Sequence, residues 1–227
     1  MVIAALAAGG RGSRFGGDMP KQFLDLAGRP VIIRSLDAFI GSGLVDEYIV
    51  AVGAGFTEYT RELISKYLPG ITVKVITGGD NRNGTLIAIL NEYKNATEGD
   101  IILTHDAVRP CIDKRIIADN IAAAGEYGAC NTVIPAVDTI LLSGDGCFIK
   151  SVPPRGGCFH AQTPQSFSLK KLAEIYAGMS ARELEEYTDA CTAFVARREP
   201  VYLVQGSRDN IKITFPQDIK TAEDFFK

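Results

Sequence analysis

Short β-branched runs alternate with longer amphipathic stretches as far as Pro135. This alternation is typical of an α/β fold in which strands and helices take turns in a doubly wound, mostly parallel sheet. The predicted strands are Val2 to Ala8, Glu47 to Val52, Thr72 to Thr77, Ile101 to Thr104 and Asn131 to Pro135. The predicted helices are Pro30 to Ile40, Thr57 to Tyr67, Gly84 to Tyr93 and Lys114 to Tyr127, the last capped by Asp113.

The pattern changes after Pro135. The turn Ser143-Gly144-Asp145-Gly146 lies between two apolar stretches, Thr139 to Leu142 and Phe148 to Val152, which predicts a β-hairpin arm at about residues 137–157. An apolar ribbon cannot bury both of its faces alone, so we expect the arm to pack against a partner subunit. The alternative is a hairpin that folds back on its own domain.

Beyond the arm, the sequence predicts two short helices and then a segment from Val201 to Thr214 that returns to the sheet. A final helix is expected to start at Pro216. Because 227 residues are enough to bury one full α/β core, we expect residues 1–227 to form a single domain.

The amino-acid composition limits the classes of partner that the chain can bind. A net charge of -3 gives no general attraction to nucleic acid or to anionic membranes, so a phosphate ligand needs a local group of basic residues. No apolar run approaches the roughly 18 residues of a membrane span, and the apolar start of the chain lacks the basic region of a signal peptide. The five cysteines show no C-x-x-C spacing, which disfavours zinc and disulfides and favours a cytoplasmic protein.

A glycine-rich loop follows the first predicted strand directly, from Gly9 to Gly17, and Lys21 comes soon after it. Glycines let backbone N–H groups approach a triphosphate closely, so a nucleotide is the expected ligand. The dinucleotide fingerprint needs a small residue where Phe15 stands, and a Walker A loop needs lysine where Asp18 stands. Nicotinamide oxidoreductases and P-loop ATPases are therefore disfavoured, while a plain glycine turn with solvated basic residues is the alternative.

The fourth predicted strand leads into Asp106 and Arg109. Ligands of open parallel sheets bind at the carboxyl ends of the strands, so both side chains should face the cleft of the glycine loop. There Asp106 can hold Mg²⁺ against phosphates and Arg109 can grip a phosphate, although a surface ion pair between the two is the alternative. His105 and His160 are interpreted as structural residues.

Two further segments can complete this cleft. Gly78 to Thr85 follows the third strand, and its amides and hydroxyl can contact a base or ribose, although this signal is weak alone. Asp209 to Thr214 alternates polar and apolar residues, so Lys212 can point into the cleft or into solvent. Asp209 lies on the opposite side by strict alternation and reaches a metal only if the strand begins after it.

Taken together, the segments resemble those of a known family over nearly the whole chain. They read LAAGGRGSRFGGDMPKQFL, GGDNRNGTL, HDAVRP, AVDTI, QTPQSF, TDAC and DNIKIT. Their order is similar to that of the sugar-phosphate cytidylyltransferases. The resemblance implies a Rossmann-like nucleotidyltransferase fold, in which CTP and Mg²⁺ bind first and an oxygen of the sugar phosphate attacks the α-phosphorus with release of pyrophosphate.

The resemblance also implies residue roles. The catalytic residues would be Arg14, Lys21 and Lys212. The CTP site would contain Ala8, Gly9, Gly10, Gly12, Gly79, Asp80, Thr85 and Ala107. The sugar-phosphate site would contain Asp106, Arg109, Thr139, Arg155 and Thr163, some from the neighbouring subunit of a homodimer through the arm. The metal would lie at Asp106 and Asp209.

The resemblance leaves the acceptor open between two alditol phosphates. MPKQF, AVDTI and TDAC favour D-ribitol 5-phosphate, with CDP-ribitol as product, whereas HAQTPQ favours 2-C-methyl-D-erythritol 4-phosphate as the alternative. The run from Pro153 to Gly157 departs from the family pattern around Arg155. A non-catalytic nucleotide-binding protein is the remaining alternative, which the presence of all three basic residues disfavours.

Overall fold

The computed structural model describes residues 1–10 and 19–227. The strands are β1 Val2–Ala8, β2 Asp25–Leu26, β3 Arg29–Pro30, β4 Glu47–Val52, β5 Val73–Thr77, β6 Ile101–Asp106, β7 Ala129–Pro135, β8 Phe159–Ser168 and β9 Tyr202–Gln205. The helices are α1 Val31–Ser42, α2 Thr57–Tyr67, α3 Arg82–Asn91, α4 Lys114–Tyr127, α5 Leu169–Ala177, α6 Ala181–Glu186, α7 Ala190–Ala196 and α8 Pro216–Glu223.

Seven strands form one sheet in the order β5-β4-β1-β6-β8-β7-β9. The strands β5, β4, β1 and β6 run parallel, while β8 runs antiparallel to both of its neighbours and β9 is parallel to β7. The α/β fold with a mostly parallel sheet is therefore confirmed.

Helices cover both faces of this sheet, as the alternating directions of the side chains along β1 show. Ala4 and Leu6 pack on one side, together with Phe39 of α1. Ile3 and Ala5 pack on the other side, in the same cluster as residues of α3, α5 and α7. Since successive strand residues point to opposite faces, an apolar strand such as β1 fits only between two helical layers.

The parallel strands and the first four helices lie close to their predicted positions. The prediction of α4 includes its cap, because the Asp113 carboxylate accepts a hydrogen bond from the Ile116 N–H at 2.7 Å. Strand β6 extends two residues further than expected, to Asp106. Consequently His105 and Asp106 are strand residues, held by pairing with β1.

The second half of the chain differs more from the predictions. Strand β8 was not predicted, and three short helices follow it where two were expected. Only Tyr202–Gln205 of the segment 201–214 is a strand; its remainder runs as a loop back to the cleft. In place of a regular hairpin, residues 137–157 are joined by one isolated bridge between Leu142 and Ser151. None of the helices that the structure describes has the length and hydropathy needed to span a membrane.

Candidate active site

A cleft of about 370 Å³ opens where β1 and β6 end. This is the edge at which open parallel sheets bind ligands. Its lining residues in the described parts of the chain are Ala7, Ala8, Gly9, Gly10, Lys21, Gln22, Gly79, Asp80, Asn81, Arg82, Thr85, Asp106, Val108, Lys212 and Thr214. The structure thus brings together Lys21, Lys212 and most of the predicted CTP residues. Gly12 and Arg14 lie outside the described residues.

Gln22 braces the start of the glycine-rich loop. Its buried amide donates hydrogen bonds to the carbonyl oxygens of Ala8 at 2.7 Å and Gly10 at 3.4 Å. The neighbouring Lys21 ammonium donates to the Ile213 carbonyl oxygen at 2.7 Å. The turn at residues 21–23 therefore holds the backbone at Ala8 and Gly10 as well as one predicted catalytic lysine. Gln22 was not predicted as a site residue.

The opposite wall of the cleft is the start of α3. The Asn81 side chain accepts a hydrogen bond from the Gly84 N–H at 2.7 Å, and the Thr85 hydroxyl donates to the Asn81 carbonyl oxygen at 2.9 Å. A Cβ atom on Gly79 would lie 2.5 Å from the carbonyl carbon of Gly84. Only glycine fits there, so the loop at residues 78–80 is held tightly against the helix.

Asp106 forms the floor of the cleft and contacts three cationic side chains. Its Oδ1 lies 2.8 Å from Arg82 Nη1, and its Oδ2 lies 2.9 Å from Lys212 Nζ and 3.5 Å from Arg109 Nε. Burial alone would raise the pKa of the Asp106 carboxyl, but Arg82, Lys212 and Arg109 outweigh burial and hold this pKa well below its usual range. Three cations around one carboxylate leave the floor positively charged, which suits a polyphosphate.

His105 and Thr163 lie behind this floor. The Thr163 hydroxyl accepts from the Asp106 N–H at 3.0 Å and lies 3.1 Å from His105 Nδ1. The other ring nitrogen of His105 lies 3.0 Å from the Arg109 carbonyl oxygen, an arrangement that fits the neutral Nε2–H tautomer. Complete burial lowers the pKa of His105 to about 4. His105 and Thr163 therefore support the end of β6 from inside the core.

Several predicted site residues do not line the cleft. Arg109 lies beneath it, with Nη1 donating to the Asn210 carbonyl oxygen at 2.7 Å, and Ala107 is buried, with its N–H donating to the Ala7 carbonyl oxygen at 3.1 Å. Thr139 and Arg155 are exposed on the arm. The structure of one chain therefore does not place either arm residue beside Asp106.

The metal role of Asp209 stays a prediction. Asp209 is exposed, its N–H donates to the Ser207 hydroxyl, and it is not among the described residues that line the cleft. Lys212, three residues later, does point into the cleft as expected.

The donor atoms present suit a phosphate-bound metal ion better than an all-protein site. Residues 1–10 and 19–227 contain no group of three His, Cys, Asp or Glu side chains with metal-binding geometry. Mg²⁺ commonly binds one or two carboxylates together with substrate phosphates and water. Asp106 can supply one such carboxylate at the cleft floor.

Arg82 was also missed by the sequence predictions. It stands at the first position of α3, lines the cleft and forms the shortest of the ion pairs to Asp106. Sequence spacing does not show this pair, because 24 residues separate its members. The available signal was topological: Arg82 follows β5 and Asp106 ends β6, and both strands end at the same edge of the sheet.

Comparison with known proteins assigns the chain to a family. Residues 2–227 match the family model of 2-C-methyl-D-erythritol 4-phosphate cytidylyltransferase, IspD. The chain belongs to this family. It is therefore a nucleotidyltransferase that uses CTP and a sugar phosphate, as the motif resemblance implied.

Solved structures agree with this assignment. The 2-C-methyl-D-erythritol 4-phosphate cytidylyltransferase from Thermus thermophilus is 29% identical, with a TM-score of 0.74 over 99% of this chain and 98% of that one. The enzyme of that name from Francisella tularensis is 25% identical, with a TM-score of 0.83 over 99% of both chains. These findings do not support the preference for ribitol 5-phosphate; they support the methylerythritol alternative.

Proposed function

We propose that this IspD-family enzyme transfers the cytidylyl group of CTP to 2-C-methyl-D-erythritol 4-phosphate. The observation that carries the proposal is the family match over residues 2–227. The cleft supports it, because its backbone loops and cations can bind the negatively charged phosphates of CTP and of a phosphate monoester. The products would be the CDP derivative of the acceptor and pyrophosphate.

The chemistry requires one bond to form and one to break at the α-phosphorus of CTP. An oxygen of the acceptor phosphate attacks this phosphorus, and the bond to the oxygen bridging to the β-phosphate breaks, so pyrophosphate leaves with that electron pair. The attacking oxygen is already anionic, so no protein base is needed. Positioning and neutralisation of charge are therefore the main tasks of the protein.

The described residues can divide these tasks. Lys21 and Lys212 would neutralise the charge that accumulates at the α-phosphorus, with Arg14 as a third cation by resemblance to the family. The backbone at Gly9 and Gly10 would contact the triphosphate, while the opposite wall would contact the cytidine through Gly79, Asp80 and Thr85. A base pocket closed by these backbone groups would favour a pyrimidine over a purine by size.

We also propose Mg²⁺ as the metal. When bound, it would neutralise part of the triphosphate charge. Asp106 would hold it together with phosphate oxygens, because Asp106 is a deep-lying carboxylate of the cleft and stays ionised. Asp209, an exposed residue outside the lining of the cleft, stays a predicted second carboxylate for this metal.

The arm supports a homodimer with shared sites. Phe148 is 77% exposed, Ile149 is 63% exposed, and Val152 is also exposed, so the arm presents apolar side chains that its own chain does not cover. Thr139 and Arg155 lie on the same arm, away from the cleft of their own chain. In a dimer these two residues would reach the acceptor phosphate in the partner's cleft.

A cytoplasmic location fits this function. CTP is an intracellular nucleotide. The cysteines are all unpaired thiols, three of them buried, as expected of a protein kept in reducing surroundings.

Pyrophosphate release tests the acceptor directly. The purified enzyme would receive CTP and Mg²⁺ with either 2-C-methyl-D-erythritol 4-phosphate or D-ribitol 5-phosphate. We expect release with the methylerythritol phosphate and at least about 100-fold lower kcat/KM with ribitol phosphate, a difference of about 3 kcal/mol in transition-state binding. Release with ribitol phosphate alone would overturn the acceptor, and no release with either would overturn the proposed activity.

A further inference from the structure

Arg82 occupies a distinctive position in the cleft. Its side chain lines the cleft and is one-third exposed, and Nη1 lies 2.8 Å from Asp106 Oδ1. Lys212 Nζ holds the other carboxylate oxygen at 2.9 Å. Arg82 therefore holds Oδ1, while Lys212 holds Oδ2 together with the more distant Arg109 Nε at 3.5 Å. Of Arg82 and Lys212, only Lys212 is a predicted catalytic residue.

The backbone that carries Arg82 is anchored by its neighbour Asn83. The buried amide of Asn83 donates to the carbonyl oxygens of Leu184 at 2.9 Å and Tyr187 at 2.7 Å, and its oxygen accepts from the Tyr176 hydroxyl at 2.8 Å. The start of α3 is thus tied to the end of α6 and to α5 by three hydrogen bonds. Such anchoring restricts Arg82 to a small range of positions.

A second carboxylate, that of Asp189, acts on the charge of Arg82 more weakly than Asp106 does. Asp189 is fixed as the N-cap of α7, where it accepts from the Thr192 N–H at 3.0 Å. The guanidinium therefore has a defined acidic environment around it.

This geometry has a consequence for Lys212. With Arg82 on Oδ1, the Lys212 ammonium contacts a single oxygen, and part of its hydrogen-bonding capacity points towards the cleft. Without Arg82, both carboxylate oxygens become available to Lys212, which can then move towards Asp106 and away from the phosphates. A lysine displaced by about 1 Å in a transition-state site costs up to about 100-fold in rate.

We infer that Arg82 is a positioning residue of the transfer reaction, holding one oxygen of Asp106 so that the other fixes Lys212 at the reacting phosphorus. This inference rests on the proposed cytidylyl transfer. It adds to that function a residue whose effect passes through Asp106 instead of through direct contact with CTP.

Kinetics of Arg82→Gln provide the test. We expect kcat to fall roughly 10- to 100-fold, because Lys212 shifts, while the Kd of CTP measured calorimetrically without acceptor changes less than about threefold. Arg82→Lys, which keeps a charge near Asp106, should recover a large part of the lost kcat. The control is Arg182→Gln, which removes an exposed ion pair to Glu186 on α6 and should leave kcat and Kd unchanged.

A double-mutant cycle with Asp106→Asn separates the routes of action. If Arg82 acts through Asp106, Arg82→Gln should change kcat less than about threefold in the Asp106→Asn background. An undiminished effect there, or a Kd for CTP that rises in proportion to the loss of kcat/KM, would overturn the inference. So would an unchanged kcat in Arg82→Gln when the wild type turns over. A wild type without turnover would contradict the proposed function itself, and with it this inference.

Discussion

Two adjacent buried residues of β6 differ in charge, one neutral and one ionised. His105 is enclosed without an anionic contact that compensates burial, so it loses its proton at a pKa of about 4. Asp106 is almost as deeply placed but keeps its charge, because Arg82, Lys212 and Arg109 surround it. The cleft thus contains an anion that persists into acid and, behind it, a histidine that stays neutral at physiological pH.

The neutral state of His105 predicts a pH dependence of stability. Its pKa is near 6.5 in the unfolded chain and about 4 in the folded protein, so the unfolded state binds more protons between these values. The stabilisation is fully present above about pH 6.5 and is lost as the pH falls towards 4. We expect the free energy of urea unfolding, without nucleotide or metal, to drop by about 2 kcal/mol from pH 7 to pH 5.

His105→Gln should lose that part of the pH dependence. The matched control is His160→Gln, which alters an exposed histidine on β8 and should keep the wild-type dependence. Equal slopes in wild type and His105→Gln between pH 5 and pH 7 would show that His105 does not stay neutral in the folded protein.

Lys21→Ala is expected to separate rate from stability. The Lys21 ammonium lies at the cleft with a hydrogen bond to the Ile213 carbonyl, and its charge acts mainly on the transition state. We expect kcat to fall by about 100- to 1,000-fold, with a melting temperature within about 5 °C of wild type. Lys220→Ala, at an exposed position of α8, is the control. Unchanged turnover in Lys21→Ala would argue against its catalytic role.

Among the helices, α3 is held in place by Asn83, whose hydrogen-bond partners are distant in the sequence. Replacing Asn83 by Ala leaves the partly buried Leu184 and Tyr187 carbonyls and the buried Tyr176 hydroxyl without their Asn83 partner. We expect Asn83→Ala to lower the free energy of unfolding by about 3 kcal/mol and to weaken CTP binding, since the loop at residues 78–80 packs on α3. Urea titration and calorimetry measure the two effects.

Tyr176→Phe is the matched comparison for that variant. It removes one of the three hydrogen bonds and keeps the ring packing, so it should cost about 1 kcal/mol. A loss in Asn83→Ala no larger than that in Tyr176→Phe would contradict the anchoring role of the Asn83 amide.

The elements also show where sequence reasoning works and where it does not. Strands β1 and β4 were predicted to the residue, because apolar β-branched runs between turns have few other structures open to them. Strand β8 was missed because its buried centre is polar, with Gln162, Thr163, Gln165 and Ser166 inside, and because Pro164 interrupts the run. Its Gln162, Thr163 and Ser166 side chains hydrogen-bond to tertiary partners that a linear pattern does not show.

The same distinction applies to the site. Glycines and lysines near strand ends predicted the cleft, because parallel strands present their carboxyl ends together. The division of Asp106 between Arg82 and Lys212 was not predictable, since it depends on side-chain reach across three separate segments. The metal role of Asp209 stays a prediction for a related reason: Asp209 lies in the loop after β9, where strand alternation does not fix the direction of a side chain.

At the scale of the whole molecule, a substitution on the arm is expected to change both the assembly of the enzyme and its kinetics. Phe148→Asp places a charge on the most exposed apolar residue of the arm, so we expect sedimentation to show a dimer for the wild type and a monomer for the variant. The KM for the acceptor should rise at least about tenfold, with the Kd of CTP unchanged, because Thr139 and Arg155 would no longer reach a partner's cleft.

Val195→Asp is the control for that experiment, because Val195 is also an exposed apolar residue but lies on α7, away from the arm. Its mass in solution and its KM should match the wild type. A Phe148→Asp variant that keeps the wild-type mass and acceptor KM would show that the arm serves neither assembly nor the acceptor site.

The hydrogen bond from Lys21 to the Ile213 carbonyl joins positions 192 residues apart. Lys212, the neighbour of Ile213, reaches the same cleft from the late part of the chain. During synthesis on the ribosome, the sheet centred on β1 can form long before these residues emerge. The cation set of the cleft is complete only after Lys212 has been translated and has docked, so a nascent chain shortened before that point carries the nucleotide loops without the full charge needed for transfer.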